Sequence, residues 1–72
     1  MSSADLRGAR LRAVRLDRGL TQIELAYVSG HSLATVSKCE RGQTEGRMHA
    51  IGVLADLTSA LDIDLDLLMS EV

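Results

Sequence analysis

Residues 21–42 read Thr21-Gln22-Ile23-Glu24-Leu25-Ala26-Tyr27-Val28-Ser29-Gly30-His31-Ser32-Leu33-Ala34-Thr35-Val36-Ser37-Lys38-Cys39-Glu40-Arg41-Gly42. Thr21 followed three residues later by Glu24 is a capping box. The Thr21 hydroxyl accepts the Glu24 N–H, and the Glu24 carboxylate accepts the Thr21 N–H. A short helix follows, through about Val28. Ser29-Gly30-His31 is a turn, because glycine adopts the left-handed conformation that stops a helix. Ser32 then caps another helix, which ends at Arg41-Gly42. Two short capped helices joined by a glycine turn make a helix-turn-helix at about 21–41.

Working outward, Ser2 or Ser3 caps a first helix, with Asp5 in its first turn and Gly19 at its end after about Arg18. A glycine-containing loop covers Gln43–Arg47. Met48, Ile51, Leu54, Leu57 and Leu61 recur at helical spacing and mark a fourth helix. Asp64 caps a last short helix through Leu68. The fold class is therefore all-α, a compact arrangement of four to five helices with no strand candidate. The first helix admits two registers. Periodicity picks Leu6, Ala9, Ala13 and Leu16 as the buried stripe. Leu11 and Val14 lie on the opposite side, among Arg7, Arg15 and Arg18, whose long stems can cover apolar surface.

The chain has 72 residues, 46% hydrophobic, with Tyr27 as its single aromatic residue and no proline. That length makes one domain over residues 1–72, with a core spanning 5–69. A domain of about this size hides only ~60% of the surface its unfolded chain exposes. The core must be aliphatic. One cysteine, Cys39, excludes an internal disulfide. No apolar run of membrane-spanning length occurs, and Met1–Arg10 lacks the apolar segment of a signal peptide. These features predict a soluble, cytoplasmic chain. The net charge of −2 argues on its face against nucleic acid. It hides an asymmetry, however. All eight Lys and Arg lie in residues 1–47, which carry a balance of +3, and residues 48–72 carry −5. Such a split suggests two faces with different partners.

The residues of the central stretch resemble the lambda-repressor-like family, the Cro/repressor or XRE type. The resemblance rests on Arg15, Gly19-Leu20-Thr21-Gln22, Glu24-Leu25-Ala26, Ser29-Gly30, Ser32, Thr35-Val36-Ser37-Lys38 and Glu40-Arg41-Gly42. It continues through Ala60-Leu61-Asp62-Ile63-Asp64-Leu65-Asp66-Leu67-Leu68 and covers roughly residues 7–68. Each motif alone is weak, and all of them in order at this spacing are strong.

The resemblance implies a sequence-specific regulator of transcription that binds double-stranded DNA. It would be a repressor-type homodimer on a near-palindromic operator, bacterial or phage-encoded and nucleoid-associated. The helix starting at Ser32 would enter the major groove with its first turn foremost. Gln22, at the start of the preceding helix, matches the family position that holds the DNA backbone and can also touch a base, and the implied DNA-facing residues of the entering helix are Ser32, Leu33, Ala34, Thr35, Ser37 and Lys38. Arg41, Gln43, Thr44 and Arg47 would lie beside phosphates, with Glu45 opposing them. Leu33 and Ala34 depart from the polar residues common in the family. They cannot hydrogen-bond a base edge, but they can pack on thymine methyl groups. Leu33 as a core residue packed on the preceding helix is the competing reading. Arg15 and Glu40 match a family pair expected to bridge the first and third helices. The family register also turns Leu11 and Val14 inward. Candidate dimer contacts are Leu65, Leu68, Met69, Val72, Leu6 and Leu16. Arg7, Arg10 and Arg12 would add positive potential.

Other chemistries fit poorly. Asp62-Ile63-Asp64-Leu65-Asp66 opens like a calcium loop, but its sixth position is Leu67 and its twelfth falls beyond Val72. Cys39, His31 and His49 lack zinc-site spacing, so no metal is expected. Cys39 reads as a buried thiol, and His31 as packed beside the Ser32 cap. No nucleophile–base pair can be assembled, no cofactor motif is present, and no enzymatic activity is expected. The rival reading is a protein-interaction module, in which Leu33 and Ala34 meet a partner such as an RNA polymerase subunit or a toxin. Contact with the transcription machinery is also compatible with the DNA-binding reading.

Overall fold

A computed structural model describes the backbone of residues 3–43 and 47–69, and the side chains of 6–43 and 51–69. Within them lie five helices and no strand: α1 (Ser3–Asp17), α2 (Gln22–Ser29), α3 (Leu33–Glu40), α4 (Arg47–Ala60) and α5 (Asp66–Met69). Thr44 and Val72 lie outside the described residues.

Four helices end in the same way. Leu20, His31, Gln43 and Ile63 each donate a backbone hydrogen bond five residues back, to Arg15, Ala26, Lys38 and Thr58. The residue before each donates three residues back, to Leu16, Tyr27, Cys39 and Ser59. This double bond pattern satisfies the last carbonyls and needs a left-handed residue at its centre. Gly19, Gly30 and Gly42 supply it with φ of 72°, 77° and 73°. At the end of α4 the position is Asp62, with φ of 58°. Aspartate tolerates this conformation better than most residues, so the turn needs no glycine there. The last helix begins at Asp66 rather than just after Asp64. Leu67 and Leu68 make short three-residue bonds back to Asp64 and Leu65, a tight single turn.

The core joins Leu11, Leu25, Ala26, Val36, Cys39, Val53, Leu54, Leu57, Leu61 and Leu68, with Val14, Leu20, Ile63 and Leu65 packed at its margin. This settles the register of α1. Leu11 is fully buried and Leu16 is 50% exposed. Ala9 and Ala13 also face outward, and Leu6 is half-buried. The apolar stripe chosen by periodicity is therefore the wrong face. The reason is Gly8. A Cβ placed there would sit 2.5 Å from the Cys39 carbonyl oxygen and 2.6 Å from that of Glu40. Helix α1 meets the C-terminal end of α3 backbone against backbone. Gly8, Leu11 and Arg15 share that face, and two of the three add nothing to an apolar pattern.

Leu68 is likewise corrected. It is 1% exposed, so it belongs to the core and offers no dimer surface. Helix α5 lies on α1, where Arg10 Nη1 donates to the carbonyls of Leu67 and Leu68 at 3.5 and 3.4 Å. Arg7 Nη1 lies 3.6 Å from Met69 Sδ. Arg18 Nε donates to the Leu61 carbonyl at 3.3 Å, at the end of α4. Thus Arg10 of α1 and Arg18, just after it, donate to carbonyls at the ends of α5 and α4, where a cation is favoured, and Arg7 meets the Met69 sulfur.

Gly8→Ala tests the backbone contact. In an open helix this change stabilises by roughly 1 kcal/mol. Here we expect net destabilisation of about 1–3 kcal/mol by urea unfolding, because the added methyl must push apart two backbones.

Candidate nucleic-acid interface

Both motif helices start from side-chain caps. Thr21 has extended backbone angles, φ −81° and ψ 165°. Its Oγ1 accepts the Glu24 N–H at 3.1 Å, and Glu24 Oε1 accepts the Thr21 N–H at 2.9 Å. The Thr21 backbone N–H, then its hydroxyl, hold the Glu24 carboxyl below its ordinary range. Ser32 is also extended, and its Oγ accepts the Thr35 N–H at 3.1 Å. The Ser32 and Thr35 hydroxyl oxygens are 2.9 Å apart.

Helix α3 divides into two faces. Val36, Cys39 and Glu40 are buried. Leu33 is 44% exposed, which answers the competing core reading of that residue. Ser32, Ala34 and Lys38 are exposed, with Thr35 and Ser37 half-buried beside them. Arg41 and Gln43 are exposed beyond the helix, and Arg41 Nε donates to the Ser37 carbonyl at 3.3 Å. Arg47 is the first residue of α4, and its side chain is outside the described set. The first turn of α3 is thus free of core duty.

The opposite end of α3 is fixed from inside. Arg15 Nε donates to Glu40 Oε2 at 2.6 Å, and Nη2 donates to Oε1 at 3.0 Å. This is a two-pronged pair with side chains 7% and 2% exposed. Arg15 Nη1 donates to the Leu20 carbonyl at 2.8 Å, and Gln22 Nε2 donates to Glu40 Oε1 at 3.1 Å. The hydrogen bonds to Glu40 hold the Arg15 pKa above its ordinary value, against the opposing effect of burial. Three elements meet at this carboxylate, α1, α2 and α3, and Arg15 ties in the α1–α2 turn through Leu20. Among the described residues no buried side-chain polar atom lacks a partner.

Several contacts went unread in the sequence. Gln22 reaches inward to Glu40 as well as lying at the start of α2. His31 does not simply pack beside the Ser32 cap. Its Nε2 is 2.9 Å from Asp56 Oδ2, tying the motif's turn to α4. Gly8 had a signal, a glycine inside a helical pattern, which marks close packing when it is tolerated there. Cys39 is buried, and burial, followed by the nearby Glu40 charge, raises its thiol pKa. On α2, Tyr27 is 87% exposed, alongside Ile23 and Val28. Among the described residues no three His, Cys, Asp or Glu side chains gather as a metal site. No described helix is long and apolar enough to cross a membrane.

A family model described as a helix-turn-helix domain matches residues 8–68. The chain belongs to the helix-turn-helix domain family. Its fold is the lambda-repressor-like arrangement that the motif residues resemble. The restriction-modification controller protein C.AhdI from Aeromonas hydrophila is 35% identical, with a TM-score of 0.80 over 90% of this chain and 94% of that one. The clp gene regulator ClgR from Corynebacterium glutamicum is similar at 32% identity. One of its structures has a TM-score of 0.82, over 96% of this chain and 86% of that one. A second ClgR structure has a TM-score of 0.80 and is covered over 70% of its length. No curated protein sequence matches the chain.

In this helix-turn-helix domain, Glu40→Ala should cost about 3–5 kcal/mol, because it strands the buried Arg15 charge. A thermal melt equal to that of the unmodified chain would contradict the role assigned to the pair.

Proposed function

We propose that this chain is a sequence-specific regulator of transcription that binds double-stranded DNA. The observation that carries the reading is the division of α3. Its inner face is anchored by Val36, Cys39 and Glu40, and its capped first turn presents Leu33, Ala34 and Lys38 outward. A helix so placed suits the major groove, N-terminal turn first. The unpaired N–H groups at the starts of α2 and α3 suit phosphates. Thr35 and Ser37 border the reading surface. Arg41, Gln43, Thr44 and Arg47 are assigned to the flanking backbone. Charge supports the polarity of the complex, since Asp56, Asp62, Asp64 and Asp66 all lie in or after α4. The regulatory part of the reading draws on similarity to a restriction-modification controller and a clp gene regulator.

The finer reading is a repressor-type homodimer, cytoplasmic and nucleoid-associated, on a near-palindromic operator. Its two copies of α3 would lie about 34 Å apart in successive major grooves. Leu16 is the most exposed of the described dimer candidates, and Leu6, Leu65 and Met69 are half-buried. The outward apolar face of α2, Ile23, Tyr27 and Val28, favours a second reading, a protein partner such as a component of the transcription machinery.

Selection of bound duplexes from a random library, followed by a salt titration, separates the readings. DNA binding through about six phosphates predicts a log–log slope near −5, at about −0.9 per phosphate. A nearly flat salt response, or no enrichment of any duplex, would favour the protein partner. On the selected site, thymine-to-uracil replacement should weaken binding at one position or more, through Leu33 and Ala34. Indifference at every thymine would remove the methyl contact.

A further inference from the structure

His31 occupies the turn between the two motif helices, directly before Ser32, the cap of α3. Its Nε2 lies 2.9 Å from Asp56 Oδ2. An ionised carboxylate only accepts hydrogen bonds, so Nε2 carries the hydrogen and Nδ1 is the free base nitrogen. Histidine is the side chain that changes charge between pH 5 and 8. The pair is therefore negative while the ring is neutral, and uncharged overall once Nδ1 takes a proton. Among the described residues, Asp56 is the charged side chain in contact with the ring. On α2, Glu24 is tied to Thr21 at the far end, and Tyr27 is exposed. On α3, Lys38 is exposed beyond the first turn, and Cys39 and Glu40 are buried at the opposite end. On α4, the side chains of Arg47 and His49 lie outside the described residues.

Asp56 belongs to the acidic segment, residues 48–72, which holds no Lys or Arg. Its side chain is 61% exposed. Asp62, Asp64 and Asp66 lie beyond the end of α4, but Asp56 is drawn by His31 to the turn that leads into α3. Phosphates suit the N-terminal ends of α2 and α3. A carboxylate at this border opposes them, over a range of about 8 Å at physiological salt. A neutral His31 ring leaves that opposition in place, and a protonated ring cancels it. We propose, resting on the DNA-binding reading above, that His31 takes up a proton at Nδ1 when the chain binds DNA, with Asp56 as its counter-charge. By linkage, DNA that favours the protonated ring is in turn bound more tightly by it, so affinity rises as the pH falls from 8 to 6. The Cys39 thiol does not contribute in this range, because burial pushes its pKa up.

The test measures the affinity of the full chain for a synthetic duplex of its library-selected sequence at pH 6 and pH 8, at one ionic strength. Affinity should be about two- to tenfold higher at pH 6, the effect of one unit charge at roughly 7–10 Å. Calorimetry near pH 7, in two buffers of different ionisation heat, should show net proton uptake on binding. His31→Gln keeps an N–H for Asp56 but does not titrate. It should lose the proton uptake and most of the pH dependence, although His49 remains. Asp56→Asn keeps an accepting oxygen without the charge, and should bind more tightly than the unmodified chain at pH 8. Circular dichroism at both pH values establishes that each variant is folded. A merely structural tether would leave the proton count unchanged in both variants. The proposal is overturned if proton uptake survives in His31→Gln, because another group then carries it. It is also overturned if the unmodified chain binds equally at both pH values, or if folded Asp56→Asn binds more weakly at pH 8. Steep salt dependence in those cases would leave the DNA-binding reading standing. A chain that enriches no duplex would remove both.

Discussion

The two-pronged bond between Arg15 and Glu40 is the constraint on which the rest of the domain depends. Burying two charges is costly, and an interior pair is tolerated only when geometry is good and the remaining hydrogen-bonding groups are also satisfied. Both conditions hold here. The guanidinium spends its third prong on the Leu20 carbonyl, and the carboxylate takes an additional amide hydrogen from Gln22. The pair therefore does not act between two residues alone. It fixes the end of α3 to α1, to the turn after α1, and to the start of α2. The outward turn of α3 can present apolar side chains because its other end is held from within.

That bond requires a close approach, and Gly8 permits it. Two turns before Arg15 on the same face of α1, the helix passes close enough to the carbonyls of Cys39 and Glu40 that no Cβ fits. Around this contact the core is small and aliphatic, so much depends on ends and turns. Helix termini carry unpaired backbone groups that must find partners. Side-chain caps start α2 and α3, and a left-handed residue closes each of the first four helices. Arg10 of α1 and Arg18 of the following turn then secure the trailing ends of α5 and α4. These contacts confine a substantial part of the basic charge to intramolecular work, leaving Lys38 and Arg41 exposed on the motif.

Much of this was legible in the residues. Thr21 with Glu24, Ser32, and the glycines at 19, 30 and 42 located the motif helices to within a residue or so, because caps and left-handed turns have local chemical causes. The face of α1 was not legible from periodicity, because its buried side is built from a glycine, a leucine and an arginine. Only the resemblance supplied the inward register of Leu11. Leu68 was misplaced for a related reason: a four-residue helix has too few positions for a pattern to distinguish core from surface. The site divided in the same way. The exposed first turn of α3 followed from its cap and spacing. The Gln22–Glu40 and His31–Asp56 contacts depend on how helices far apart in sequence pack, which no local signal encodes.

The most direct test of the central claim, that an internally clamped α3 presents its first turn to DNA, is a nuclear magnetic resonance titration of the isotopically labelled chain with its selected duplex. The account predicts the largest shifts at Gln22 and across Ser32–Lys38, with small changes from Leu57 to Met69. It also predicts that the Arg15 Nε–H signal persists, slow to exchange, in free and bound states. Shifts concentrated in α4 and α5, or loss of the Arg15 signal on binding, would contradict it.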